Sequence, residues 1–160
     1  RYITMDISKR IQSFAVNHDL LEKGLYLSRI DGNTKTYDLR FKKPNAGDYF
    51  TLEQAHTIEH LAATVLRNSE FSDKIVYFGP MGCATGFYLV VFDGLKFDDL
   101  LALLKKTFAF ISTYEGAIPG ATRIECGNYK AHDLPGARLL AADYAKVIEN
   151  WSEDKLVYRT

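Results

Sequence analysis

Leu25-Tyr26-Leu27-Ser28-Arg29-Ile30-Asp31-Gly32-Asn33-Thr34-Lys35-Thr36-Tyr37-Asp38-Leu39-Arg40-Phe41 is the stretch that decides the fold. Two runs rich in β-branched and aromatic residues, 25–30 and 35–43, flank Asp31-Gly32-Asn33, where an Asp-Gly pair favours a tight hairpin turn. The run Pro44-Asn45-Ala46-Gly47-Asp48 closes the hairpin. Downstream, Lys74 to Phe78 reads as a short strand ending at Gly79-Pro80. Thr85 to Phe92 reads as another, apolar on both faces and so expected to be covered twice. Between hairpin and strands, Thr51 with Gln54 forms a capping box that opens a helix running to about Asn68. Phe97 to Tyr114 has the spacing of an amphipathic helix, Glu115 to Ala121 reads as a loop, and Pro135 opens a last helix ending near Trp151. The expectation is one α+β domain over residues 1–160, with a mostly antiparallel sheet and helices packed on one face. Arg1 to Thr4 precede Met5 and are expected to be extraneous to it.

Composition narrows the function. Of 160 residues, 47% are apolar, enough for a substantial core, and 20 basic residues balance 20 acidic ones. That balance lacks the basic footprint of a nucleic-acid binder. No apolar run approaches the roughly 18 residues of a membrane span, and no signal-peptide core is visible. The expected setting is the cytoplasm, where thiols stay reduced. The two cysteines, Cys83 and Cys126, then read as chemical groups, with a Cys83–Cys126 disulfide as the competing reading.

The chemistry concentrates in His56-Thr57-Ile58-Glu59-His60. Two histidines four apart on a helix project from one face, so both imidazoles can reach one metal ion, with Glu59 placed to handle protons. At 100° per residue, Ile58, Leu61, Ala62 and Val65 cluster on one side. His56, Glu59 and His60 lie on the other, facing a cleft or a second subunit. Two histidines bind weakly, so a third ligand is needed, and Cys126, Cys83, His18, His132 and several carboxylates are all candidates. Cys83 lies in Gly79-Pro80-Met81-Gly82-Cys83-Ala84-Thr85-Gly86, a glycine-rich turn suited to presenting a reactive thiol. A thiol near a dication can serve as base or nucleophile. Cys126 is followed by Gly127, which lets the backbone turn close to a site. His132, beside Asp133, reads as a polar contact at the start of the last helix.

The pentapeptide also matches inverzincin peptidases, whose glutamate is the general base. Their third ligand is a downstream glutamate, and no Glu occurs between Cys126 and Ala145. A non-enzymatic, metal-stabilised binding module is a further reading.

Taken together, His56-Thr57-Ile58-Glu59-His60, the run from Gly79 to Tyr88 and Glu125-Cys126-Gly127 resemble the S-ribosylhomocysteine lyase (LuxS) family. Ser13-Phe14-Ala15-Val16-Asn17-His18 and Asp38-Leu39-Arg40-Phe41 extend the resemblance in order and spacing, from about Ser13 to about Leu134. The resemblance implies His56, His60 and Cys126 as metal ligands, with iron(II) as the metal and zinc or cobalt as substitutes. It implies Cys83 as catalytic base and Glu59 as second acid/base. Ser13, His18 and Arg40 match substrate-contacting residues that reach in from the other subunit, and Arg67 matches an arginine near the homocysteine end. It further implies a homodimer with active sites at the interface. The reaction would cleave S-ribosylhomocysteine to homocysteine and 4,5-dihydroxy-2,3-pentanedione, the precursor of autoinducer-2 in quorum sensing and a by-product of the methyl cycle. Two departures stand out: Ala84 where the family usually has arginine, and Tyr77-Phe78-Gly79 where many members have Asp-Ile-Ser.

Overall fold

The hairpin forms as the sequence requires. In the computed structural model, which describes residues 3–160, β1 (Gly24–Asp31) pairs antiparallel with β2 (Thr34–Arg40). Gly32 takes φ +57° at the first central position of the turn, the positive φ that a two-residue hairpin loop demands. The expectation about Arg1 to Thr4 falls in part on Arg1 and Tyr2, outside the described residues. A four-residue helix, α1 (Gln12–Ala15), precedes the sheet.

After the hairpin comes α2 (Leu52–Arg67), opened by the expected capping box: Gln54 N–H donates to Thr51 Oγ1 at 3.1 Å, and Thr51 N–H donates to Gln54 Oε1 at 2.8 Å. Then follow β3 (Ile75–Pro80), β4 (Gly86–Phe92), α3 (Phe97–Ser112) and α4 (Leu134–Ile148). The sheet order is β1-β2-β4-β3 and every pairing is antiparallel. The α+β reading with its antiparallel sheet therefore holds.

Boundaries differ for physical reasons. β3 runs through Gly79-Pro80 instead of stopping there; it is an edge strand, where proline's missing N–H costs no ladder bond. α3 ends at Ser112, and Tyr114 N–H closes a tighter turn onto Ile111 O at 3.1 Å. α4 stops at Ile148, short of Trp151, whose indole meets Tyr26 edge-on at 5.8 Å between centroids.

The core lies between one sheet face and the helices. Leu25, Tyr37, Leu39, Phe78, Phe87, Leu89 and Val91 point inward. Ile58, Leu61 and Leu66 of α2, Leu100, Leu104 and Phe108 of α3, and Leu140, Tyr144 and Ile148 of α4 meet them. Phe41 links the layers, stacked on Tyr144 at 4.1 Å and edge-on to Phe87 at 4.9 Å. The expected double cover of β4 is only half present. The outward positions Tyr88 and Val90 are half-buried and Phe92 is exposed. On that face the C-terminal segment lays Tyr158 over Tyr26, ring centroids 5.0 Å apart.

Candidate metal centre and active site

The core face of α2 fixes its other face. Ala55, Thr57, Ile58, Leu61, Ala62 and Leu66 are buried, so His56, Glu59 and His60 emerge half-buried toward the irregular chain between α3 and α4. That chain supplies two carbonyls: His56 Nδ1 lies 2.8 Å from Ala131 O, and His60 Nδ1 lies 2.8 Å from Pro119 O. A carbonyl can only accept, so both Nδ1 atoms carry the proton and both Nε2 lone pairs are left free for a ligand bond. Cys126 Sγ sits 3.4 Å from His56 Nε2, and the donor atoms of His56, His60 and Cys126 all lie within 4.8 Å of one another. Bonds of about 2.0–2.3 Å at tetrahedral angles separate ligand atoms by roughly 3.4 Å. Two imidazoles and a thiol at these spacings fit a divalent, borderline-soft metal.

Two neighbours tighten the arrangement. Gly120 has φ +71°, and a Cβ there would lie 3.3 Å from His60 Nδ1, so glycine lets Pro119 O reach the ring. Gly127, to which the sequence reading gave that role, has no positive φ and open space beside it. The His132 ring stacks on His56 at 4.0 Å, and its Nδ1 is 3.0 Å from Thr57 Oγ1. Burial, with His56 and His60 alongside, holds His132 below the ordinary imidazole range. The expected polar contact of His132 at the entry to α4 is long-range, to α2, while the helix itself is capped by Asp133, which accepts from Gly136 N–H at 2.9 Å. The stack on His56 was not readable in the sequence.

Both cysteines are free, so the disulfide reading falls. Cys83 is exposed on the turn between β3 and β4. Met81 N–H to Gly86 O (2.9 Å) and Ala84 N–H to Met81 O (3.1 Å) shape that turn. Ala84 sits at φ +59°, a conformation that L-residues with a Cβ rarely adopt. Its carbonyl accepts from Phe50 N–H at 3.1 Å, which ties the turn to the start of α2. The cation beside the thiol is Arg40: its Nη1 lies 3.9 Å from Cys83 Sγ and donates to Thr85 Oγ1 at 2.8 Å. Burial works against the Arg40 charge, but the Asp38 carboxylate at 2.7 Å outweighs it and holds the guanidinium charged.

The other expected residues are scattered. Glu59 lines a cleft of about 380 Å³ with His60, Ala63, Tyr77, Pro119 and Gly120. Arg40 reaches Cys83 within its own chain. Arg67 is exposed, with its guanidinium bonded to Ile75 O (3.0 Å) and Val76 O (2.8 Å) at the start of β3. His18 Nδ1 donates to Val16 O at 2.8 Å. Among the described residues no hydrogen bond joins Ser13 or His18 to Glu59, Cys83 or the His/Cys cluster.

An antiparallel α+β scaffold with three such donors and a separate exposed thiol defines a class: a candidate metalloprotein with a donor set left open, as catalytic sites are. Comparison with known proteins makes this particular. The model of the S-ribosylhomocysteinase (LuxS) family matches residues 11–155, and the chain belongs to that family. A protein of Phocaeicola vulgatus named S-ribosylhomocysteine lyase is 48% identical over 158 residues, covering 95% of this chain and 98% of that one. Proteins of the same name from Finegoldia magna (44% over 153 residues, 93% and 97% covered) and Borreliella afzelii (43% over 155 residues, 94% and 99%) are also similar.

Proposed function

We propose that the chain is a carbon–sulfur lyase acting on S-ribosylhomocysteine, releasing homocysteine and 4,5-dihydroxy-2,3-pentanedione. The observation that carries the reading is the convergence of His56, His60 and Cys126 in a chain of this family. It also separates the reading from a peptidase, because the third donor is a thiol and not a carboxylate.

The substrate's thioether bond is unactivated while its carbonyl is at C1. Moving the carbonyl to C2 and then to C3 places it β to sulfur, where loss of the C4 proton expels homocysteine thiolate. Cys83 takes and returns the carbon-bound protons, and Glu59 moves protons between hydroxyl oxygens. His56, His60 and Cys126 would hold a divalent metal, which would supply Lewis-acid polarisation of the carbonyl oxygen, worth several kcal/mol. Iron(II) is the proposed metal, with zinc or cobalt able to substitute.

Ser13, His18 and Arg40 are assigned to substrate contact across a homodimer interface, and Arg67 to contact near the homocysteine end. Phe14 (66% exposed) in the N-terminal arm and the thinly covered outer sheet face support pairing of two copies. The proposed setting is cytoplasmic, in keeping with two free thiols. No helix of the described residues is long and apolar enough to cross a membrane.

The test is thiol release from S-ribosylhomocysteine by anaerobically prepared iron protein, its chelated form and Cys83→Ala. The iron protein should release homocysteine, and the chelated form should not. Cys83→Ala should lose activity with its metal content intact. Release at the parent rate by Cys83→Ala would remove Cys83 as the base.

A further inference from the structure

The group that touches the Cys83 sulfur is Thr85, two residues along the same turn and buried. Its Oγ1 lies 3.1 Å from Cys83 Sγ and 2.8 Å from Arg40 Nη1. A guanidinium only donates, so Thr85 Oγ1 accepts from Arg40. The Thr85 hydroxyl proton is then free to donate to Cys83 Sγ, 3.1 Å away. An anionic sulfur satisfies this arrangement fully, accepting from Thr85 and facing the second Nη1 proton of Arg40. A neutral thiol, exposed and able to turn its own proton to solvent, would accept from the same hydroxyl only weakly, so the Thr85 and Arg40 protons together favour the anion.

Arg40 is itself held from behind. Asp38 accepts from Arg40 Nε at 3.1 Å and from Nη2 at 2.7 Å, and Tyr158 O–H donates to Asp38 Oδ2 at 2.7 Å. Asp38, Arg40 and Thr85 are each at most 3% exposed. The row thus runs from the C-terminal segment to the thiol within one chain.

We propose that Thr85 is a positioning residue for Cys83: its hydroxyl, set by the buried Asp38–Arg40 pair, orients the sulfur and stabilises its anionic form. This rests on the reading of Cys83 as the base, and it adds a residue on which that base depends.

The experiment compares the metal-loaded parent with Thr85→Val and Thr85→Ser. The probe is iodoacetamide at neutral pH, with alkylation of the Cys83 peptide followed by mass spectrometry. Thr85→Val, nearly isosteric, should slow alkylation about tenfold, the order expected for one lost hydrogen bond to a charged group. Thr85→Ser should return it to within about twofold. In lyase turnover Thr85→Val should lower kcat while KM stays near the parent value, because the side chain is buried away from substrate. Circular dichroism checks each fold, and Thr85→Ala takes the place of Thr85→Val if that variant does not fold. An unchanged alkylation rate without the hydroxyl, or a serine variant as slow as valine, overturns the proposal. If the parent releases no homocysteine, the lyase reading fails, while the alkylation comparison still decides the role of Thr85.

Discussion

At the scale of single residues, the histidine pair was the most legible part of the chain, because helical periodicity alone puts His56 and His60 on one face, whereas Cys126 stood out among several candidates only through the family resemblance. Its supports were not legible. Pro119 and Ala131 act through backbone carbonyls, which carry no side-chain signature, and Gly120 is one of 11 glycines with nothing local to single it out. Arg40 was singled out as a substrate contact reaching in from another subunit. Only the pairing of Arg40 with Gly86 across β2 and β4 brings it to Cys83 of its own chain. Gly120 yields a direct prediction. Gly120→Ala forces a Cβ onto a φ of +71° and against the His60 ring. It should cost about 1–2 kcal/mol in urea unfolding. Metal retention against a chelator should weaken on the order of tenfold, as for loss of a group that orients a ligand. Parent-like retention would mean that the Pro119 contact does not orient His60.

At the scale of elements, the capping box, the hairpin and the type of every strand and long helix were readable, because each depends on neighbours in sequence. Element ends were less so. Whether β3 stops at Gly79-Pro80 depends on its being an edge strand, and edge position is a property of the sheet. The double cover expected of β4 is met on its helix side, and within the described residues the other face carries only the C-terminal segment beside it. The capping box allows a test separating helix stability from ligand geometry. Thr51→Ala removes the Oγ1 that accepts from Gln54 N–H and should cost about 1 kcal/mol. His56 and His60 lie a turn or more further along, so metal stoichiometry should not change. Loss of metal in a folded Thr51→Ala protein would show that the ligands depend on the first turn of α2.

At the scale of the whole molecule, buried phenols tie stability to alkaline pH. Burial raises Tyr26, Tyr37, Tyr88, Tyr144 and Tyr158 above the ordinary phenol value, and the Asp38 charge adds to the effect at Tyr158. Below about pH 10 folded and unfolded chains are both protonated at these sites, so their contribution is fully present. Above it the unfolded chain releases protons that the folded chain keeps, so stability falls as pH rises. Urea midpoints should hold up to about pH 10 and decline above it, less steeply for Tyr158→Phe; a profile that stays flat above about pH 10 would contradict this. The Asp38–Arg40 pair has a different consequence, one for how such a sequence can drift. Replacing either partner alone strands a buried charge at about 3–5 kcal/mol, a large share of a domain's whole stability. Single-step neutral paths are closed at both positions. Over generations the two are expected to be retained together or exchanged together, so the sheet face beside the thiol changes more slowly than the loops around it.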